Sequence, residues 1–160
     1  MAEMRIGHGF DVHRMVLDRK LILGGIEIPY ELGLLGHSDA DVLAHALMDA
    51  MLGACAMGDI GHLFPDNDDR FLGADSMKLL EEVTRVTAEK GWQLGNCDVT
   101  VICQKPKLAP YIDEMRENLA DVIGVEPCQI SVKATTTEKL GFTGRGEGIA
   151  AEAVCIMTRI

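Results

Sequence analysis

Asp11-Val12-His13 and, farther along the chain, His45 are the residues whose types and spacing point most directly to chemistry. An aspartate and a histidine two apart face the same side of an extended strand. His45 lies in a helical pattern, so a carboxylate and two imidazoles can converge from two elements. Three protein ligands and one open position are the usual holder of a catalytic zinc, and two nitrogens with a carboxylate suit zinc better than magnesium. The competing reading is a buried cluster held only by hydrogen bonds. Asp41 and Asp49 stand one turn to either side of His45, and metal-bound histidines commonly give their second N–H to such carboxylates.

Other groups widen the inventory. His37-Ser38 opens the same helical stretch, where free N–H groups and the dipole favour an anion; the plainer alternative is a capping serine beside a solvated histidine. Lys133-Ala-Thr-Thr-Thr-Glu138-Lys139 sets hydroxyls and N–H groups beside a carboxylate and two lysines. Glu138 suits a hard cation such as Mg²⁺, although threonines also simply make good strands. Gly144, Gly146 and Gly148 match neither a P-loop nor a dinucleotide fingerprint and read as turn residues presenting Arg145. The acidic run Asp66-Asn67-Asp68-Asp69 reads as a solvated loop. No Ser-His-Asp or Cys-His arrangement is legible. The chain is rich in metal ligands and phosphate donors and poor in activated nucleophiles, which suggests phosphoryl transfer by positioning and charge neutralisation.

The elements that must position these groups follow from periodicity. Arg5 to His13 alternates as a strand, with Ile6, His8, Phe10 and Val12 on one face and Gly7, Gly9, Asp11 and His13 on the other. That parity removes His8 from the metal face. Lys20 to Pro29 predicts a hairpin around Gly24-Gly25. Ser38 to Asp41 reads as a capping box, with a helix to about Ala56. A loop follows over 58–73, then a helix from about Ala74 to Lys90 stopped by Gly91. A strand over 95–104, a helix over 110–123 stopped by Gly124, and strands over 129–136 and 148–158 complete the series. The alternation predicts an α/β fold, a mixed sheet packed on helices, with residues 1–160 as a single catalytic domain.

Composition narrows the partners. The 160 residues are 48% hydrophobic and 25% charged, which suits one globular domain. A net charge of −10 argues against a nucleic-acid duplex or an anionic membrane surface. An anionic small molecule then needs local compensation from metal ions, a lysine or arginine, and backbone N–H groups. No apolar run approaches the ~20 residues of a membrane span. The N-terminal residues lack a secretory pattern, so the cytoplasm is the expected location, and a mature form after transit-peptide removal would look the same. The five cysteines, at 55, 97, 103, 128 and 155, form no C-x-x-C pair and read as reduced structural residues.

Five motifs then occur in order: Gly7-His-Gly-Phe-Asp-Val-His13, His37-Ser-Asp-Ala-Asp-Val-Leu-Ala-His45, Gly58-Asp-Ile-Gly61, Phe64-Pro-Asp66, and Ala134-Thr-Thr-Thr-Glu-Lys-Leu-Gly-Phe-Thr-Gly-Arg-Gly-Glu-Gly148. Together, and over nearly the whole chain, they resemble the 2-C-methyl-D-erythritol 2,4-cyclodiphosphate synthase family of the non-mevalonate isoprenoid pathway. The resemblance implies a homotrimer whose sheets face a central channel, with active sites at subunit interfaces. It implies that the 2-phosphate of 4-diphosphocytidyl-2-C-methyl-D-erythritol 2-phosphate attacks its own diphosphate and releases CMP. Asp11, His13 and His45 resemble the zinc ligands, and Glu138 the residue that holds Mg²⁺ or Mn²⁺. His37 and Thr136 match the catalytic positions that stabilise the transition state, and Ser38 lies beside the sugar phosphate.

The same resemblance puts Asp59, Ile60 and Gly61, then Phe64, Pro65, Asp66, Asn67 and Asp68, on the methylerythritol side. Cys103, Gln104, Lys105, Pro106, Lys107, Leu108 and Ala109 match the cytidine pocket. Thr135, Thr137, Phe142 and Arg145 complete the nucleotide and phosphate contacts. Cys103 and Lys105 stand where the family often has small residues, which implies altered affinity at most. Arg145 and Glu152 are implied to line a channel able to hold an isoprenoid diphosphate. A metal-dependent phosphohydrolase and a non-catalytic trimer binding isoprenoid diphosphates are the alternatives.

Overall fold

A computed structural model describes residues 3–160. Its centre is a five-stranded mixed sheet ordered β4-β1-β7-β5-β6. The strands are β1 (Met4–Val16), β4 (Gly33–Leu35), β5 (Trp92–Ile102), β6 (Ile130–Thr135) and β7 (Gly148–Arg159). Only β5 and β6 run parallel; β7 is antiparallel to both β1 and β5, and β4 to β1. A separate hairpin of β2 (Leu21–Leu23) and β3 (Ile26–Ile28) turns at Gly24 and Gly25, both left-handed. The mixed α/β sheet and the hairpin are as the periodicity predicts. The short β4 is additional, since three residues are too few to show alternation.

Three helices lie on one face: α1 (Val42–Ala54), α3 (Ser76–Glu89) and α4 (Ile112–Ile123), with the single turn α2 (Ile60–Leu63) between the first two. Helix α1 lies across β1 and β7. It is buried nearly all round, as a helix without a polar face must be. Its closeness to β1 depends on two glycines. A Cβ at Gly9 would collide with the Ala46 carbonyl, and one at Gly7 with the Ala50 carbonyl. That approach brings His45 down onto Asp11 and His13.

The start of α1 corrects the capping-box expectation. Ala40 is left-handed and Asp41, outside helical dihedrals, is the N-cap; its carboxylate accepts from the Ala44 N–H at 3.1 Å. Ser38 therefore lies in the preceding turn rather than at the cap. The 58–73 stretch, read as loop, contains α2, capped by Asp59, and a 3₁₀ turn at Asp69–Phe71 capped by Asp68. Such one-turn elements carry no periodic signal.

The sheet face opposite the helices carries Ile6, Phe10 and Val154, which are 75%, 51% and 46% exposed in the single chain. No described helix is long and apolar enough to cross a membrane.

Candidate metal centre and active site

Strand parity and the Gly7/Gly9 approach bring three ligand atoms together. His13 Nε2 lies 2.9 Å from Asp11 Oδ2, His45 Nδ1 lies 3.1 Å from the same oxygen, and the two nitrogens are 3.2 Å apart. A zinc ion with bonds near 2.0–2.1 Å in tetrahedral geometry needs ligand edges of about 3.3 Å, so the triangle matches within a few tenths of an ångström.

Proton bookkeeping favours a cation over a hydrogen-bonded cluster. His13 Nδ1 is 2.8 Å from the Leu35 carbonyl, so that nitrogen carries the hydrogen and the neutral ring turns a bare Nε2 to Asp11. On His45, Nε2 meets the hydroxyls of Ser38 and Ser76, each at 3.1 Å, leaving Nδ1 for the trio. Two neutral imidazoles facing one carboxylate leave lone pairs without partners, and a cation satisfies all of them. Without a cation, protons must do so. Burial raises the Asp11 carboxyl, but the hydrogen bonds and charge of His13 and His45 outweigh it and hold it down at about 2. Burial works against charge on His13 as well, yet its bond to Asp11 lifts its pKa above the ordinary histidine value.

The expectation that Asp41 and Asp49 orient His45 is not met. Both carboxylates serve backbone. Asp41, fully buried, accepts from Gly24 and Gly25 N–H at 3.0 and 2.7 Å besides Ala44. Asp49 accepts from Ile60 N–H at 2.8 Å and so anchors α2. Helix spacing puts them on the right face, but their carboxylates are drawn to unpaired N–H groups. The hydroxyls that meet His45 Nε2 are instead those of Ser38 and of Ser76 at the start of α3; no motif flags Ser76, because its partner is 31 residues away.

The trio opens into a cleft of about 250 Å³ lined also by His37, Ser38, Ile60, Gly61, Phe64, Asp66, Phe71 and Leu79. Arg19 donates to the Ser38 carbonyl at 2.9 Å and steadies the segment before α1. His37 gives its Nε2–H to the Asp68 carbonyl at 3.1 Å, and Gly73 N–H bonds the His37 carbonyl at 2.7 Å, so the 64–73 loop forms a wall. Asp59 lies outside this lining, its carboxylate held by His62 at 2.9 Å. Pro65, Asn67 and Asp68 do not line it either.

A second cleft of about 200 Å³ is lined by Cys103, Gln104, Pro106, Lys107, Leu108, Ala109, Ala134, Thr135 and Thr136. It shares no residue with the first. Lys105, Thr137, Glu138, Phe142 and Arg145 line neither. Glu138 and Lys139 are consecutive non-glycine residues in the left-handed region, and Glu138 N–H bonds Thr136 Oγ1 at 3.2 Å. Such strain costs about 1–3 kcal/mol per residue and collects at functional turns. Arg145 pairs with Glu147 at 2.9 Å, while Glu152 lies on the outer sheet face opposite Phe10.

The sheet register places the clefts relative to each other. Val12, Ala150, Ile102 and Thr135 occupy one row across β1, β7, β5 and β6. Three strand spacings, about 14 Å, separate the trio from the threonines. That backbone separation is larger than a single phosphate group.

Nucleophilic alternatives find little support. Burial pushes the Cys97 and Cys155 thiols up to about 12 and the Cys103 thiol up to about 11, so none is a thiolate near neutrality. Asp11, His45 and Ser38 or Ser76 also trace a Ser-His-Asp line. That reading leaves His13 Nε2 without a partner, and both serine hydroxyls are buried.

The comparisons with known proteins converge on one family. The YgbB family profile matches residues 4–158. The 2-C-methyl-D-erythritol 2,4-cyclodiphosphate synthase of Trichlorobacter lovleyi is 64% identical over 154 residues, 96% of this chain and 98% of that protein. The bifunctional IspDF of Campylobacter jejuni superposes with a TM-score of 0.96 at 45% identity, covering 100% of this chain and 43% of that one. The CDP complex of Plasmodium falciparum IspF superposes with a TM-score of 0.86 at 34% identity, over 98% and 96%. The matches run over nearly the whole chain, and the chain belongs to the 2-C-methyl-D-erythritol 2,4-cyclodiphosphate synthase family.

Proposed function

We propose that the chain, as one catalytic unit, converts 4-diphosphocytidyl-2-C-methyl-D-erythritol 2-phosphate to 2-C-methyl-D-erythritol 2,4-cyclodiphosphate and CMP. The observation that carries this reading is the convergence of Asp11, His13 and His45 on one point in an open cleft. A zinc ion held there, with Mg²⁺ or Mn²⁺ near Glu138, supplies charge neutralisation to a diphosphate. The protein's own groups position the reaction. Ser38 and the His37 ring lie in the wall beside the trio, where a phosphate is received, and Ile60, Gly61, Phe64 and Asp66 bound the space for the methylerythritol unit. The second cleft, walled by Cys103 to Ala109 and the threonines, takes the cytidine, with Lys107 near its phosphates.

The substrate's own phosphate oxygen forms the new P–O bond to the β-phosphorus as the bond to CMP breaks. No activated side-chain nucleophile is needed, and the raised thiol pKa values agree with that. The separation of about 14 Å between the trio and Thr136 supports a site shared between two chains, and the uncovered apolar sheet face supports their assembly as a homotrimer around a channel. The CDP complex of the Plasmodium falciparum relative supports a cytidine nucleotide as ligand. Nothing in the geometry favours hydrolysis or simple isoprenoid-diphosphate binding over cyclisation.

The test is incubation of the purified protein with the cytidyl substrate, Zn²⁺ and Mg²⁺, followed by ³¹P NMR. Equal amounts of CMP and a cyclic diphosphate are expected. Linear phosphate products, or no CMP, would refute the reading.

A further inference from the structure

The hydrogen bonds behind His45 form a directed chain. Asp39 is a carboxylate and can only accept. Its Oδ2 takes the Ser76 N–H at 2.9 Å, and its Oδ1 takes the Asp41 N–H at 3.1 Å together with the Ser76 hydroxyl. With its one proton committed to Asp39, Ser76 Oγ offers His45 only lone pairs. His45 Nε2 must then carry the hydrogen, and Nδ1 is left bare toward Asp11 and His13. Ser38 cannot impose this alone, since its hydroxyl accepts from Ala40 N–H at 3.2 Å and keeps its own proton free to turn either way.

A plain capping role does not account for Ser76. The α3 cap is Asp75, whose carboxylate accepts from Met77 N–H at 2.9 Å. Ser76 is wholly buried, and its hydroxyl has His45 and Asp39 as its two partners. The Asp39 N–H also bonds the Ala74 carbonyl at 3.0 Å, so the start of α3 is docked on the segment that leads into α1.

We propose that Ser76 and Asp39 are positioning residues that hold His45 in its Nε2–H tautomer and thereby set the metal affinity of the trio. The inference rests on reading the trio as a zinc site. Outer partners of metal-bound histidines change metal affinity by about 10–100-fold when removed.

The experiment is equilibrium competition for Zn²⁺ between a chromophoric chelator and the wild-type, Ser76→Ala and Asp39→Asn proteins, with the unfolding midpoint of each metal-free protein measured alongside. A drop in zinc affinity of about tenfold or more in folded Ser76→Ala is expected, with an altered visible spectrum of the Co²⁺-substituted protein. Folded Ser76→Ala with wild-type zinc affinity and Co²⁺ spectrum would overturn the proposal, even if it were less stable. Should Ser76→Ala fail to fold, Asp39→Asn is read by the same criterion. Absence of zinc binding by the wild type would instead refute the metal site itself.

Discussion

At the residue scale, the trio is a point where protons and a metal compete. The Asp11 carboxyl is held down from 3.8 to about 2 by its histidine partners against the effect of burial. A depressed carboxyl stabilises the fold above its unfolded value, and that contribution disappears as pH falls through the folded one. Metal-free protein should therefore lose about 2 kcal/mol through this group between pH 5 and pH 2. Chemical denaturation across that range should show the loss in the wild type and not in Asp11→Asn. His13 has the opposite sign. Its raised pKa gives stability that is full below 6.5 and lost as pH rises through the folded value. Zinc needs the deprotonated ring, so zinc affinity should fall about tenfold per pH unit below the His13 pKa, with a proton released on binding. Calorimetric titration in two buffers of different ionisation enthalpy checks this.

The Asp11-x-His13 pair was legible in the sequence because strand parity alone puts both side chains on one face. His45 was legible because it lies on the adjacent helix. Its true partners were not. Asp41 and Asp49 have the right helical spacing, but local backbone N–H groups claim them, and Ser76 reaches His45 only through tertiary packing.

At the element scale, the site depends on how closely α1 lies on β1. Gly9→Ala would drive a methyl into the Ala46 carbonyl and the Ala50 nitrogen, both backbone, so neither can swing aside. Destabilisation of about 3 kcal/mol or more is expected, with loss of zinc as His45 is pushed from β1. Gly53, on the same helix but exposed, is the control, since a Cβ there meets nothing. Gly53→Ala should stabilise by about 1 kcal/mol and leave zinc content unchanged. Thermal unfolding with metal analysis of both variants tests the pair. The long strands and helices could be placed within a few residues from their periods and their glycine stops, Gly91 and Gly124. The α1 start, β4 and the turns within 58–73 could not, because a left-handed Ala40, a three-residue strand and single helical turns leave no periodic trace.

At the scale of the whole molecule, one face of the sheet lacks a covering layer, and the two clefts lie about three strand spacings apart. Sequence pattern alone conveys neither the open face nor the separation; the interface site was implied only by the family resemblance. If apolar residues on the open face join the chains, Ile6→Lys with Val154→Lys should lower the native mass toward one chain and abolish CMP release. Zinc should remain near one ion per chain, because the trio lies within a single chain. Native mass spectrometry with metal analysis reads both quantities.

The central claim, that the trio of one chain works with Thr136 of another, is tested most directly by complementation. His45→Ala and Thr136→Ala chains, each inactive alone, are unfolded, mixed in equal amounts and refolded together, and CMP release is measured. Random assembly into a cyclic trimer leaves about a quarter of shared sites intact, so about a quarter of wild-type activity should return. If His45 and Thr136 served the same site within one chain, no chain in the mixture would hold both residues. Activity no higher than that of the separate variants would then contradict the account.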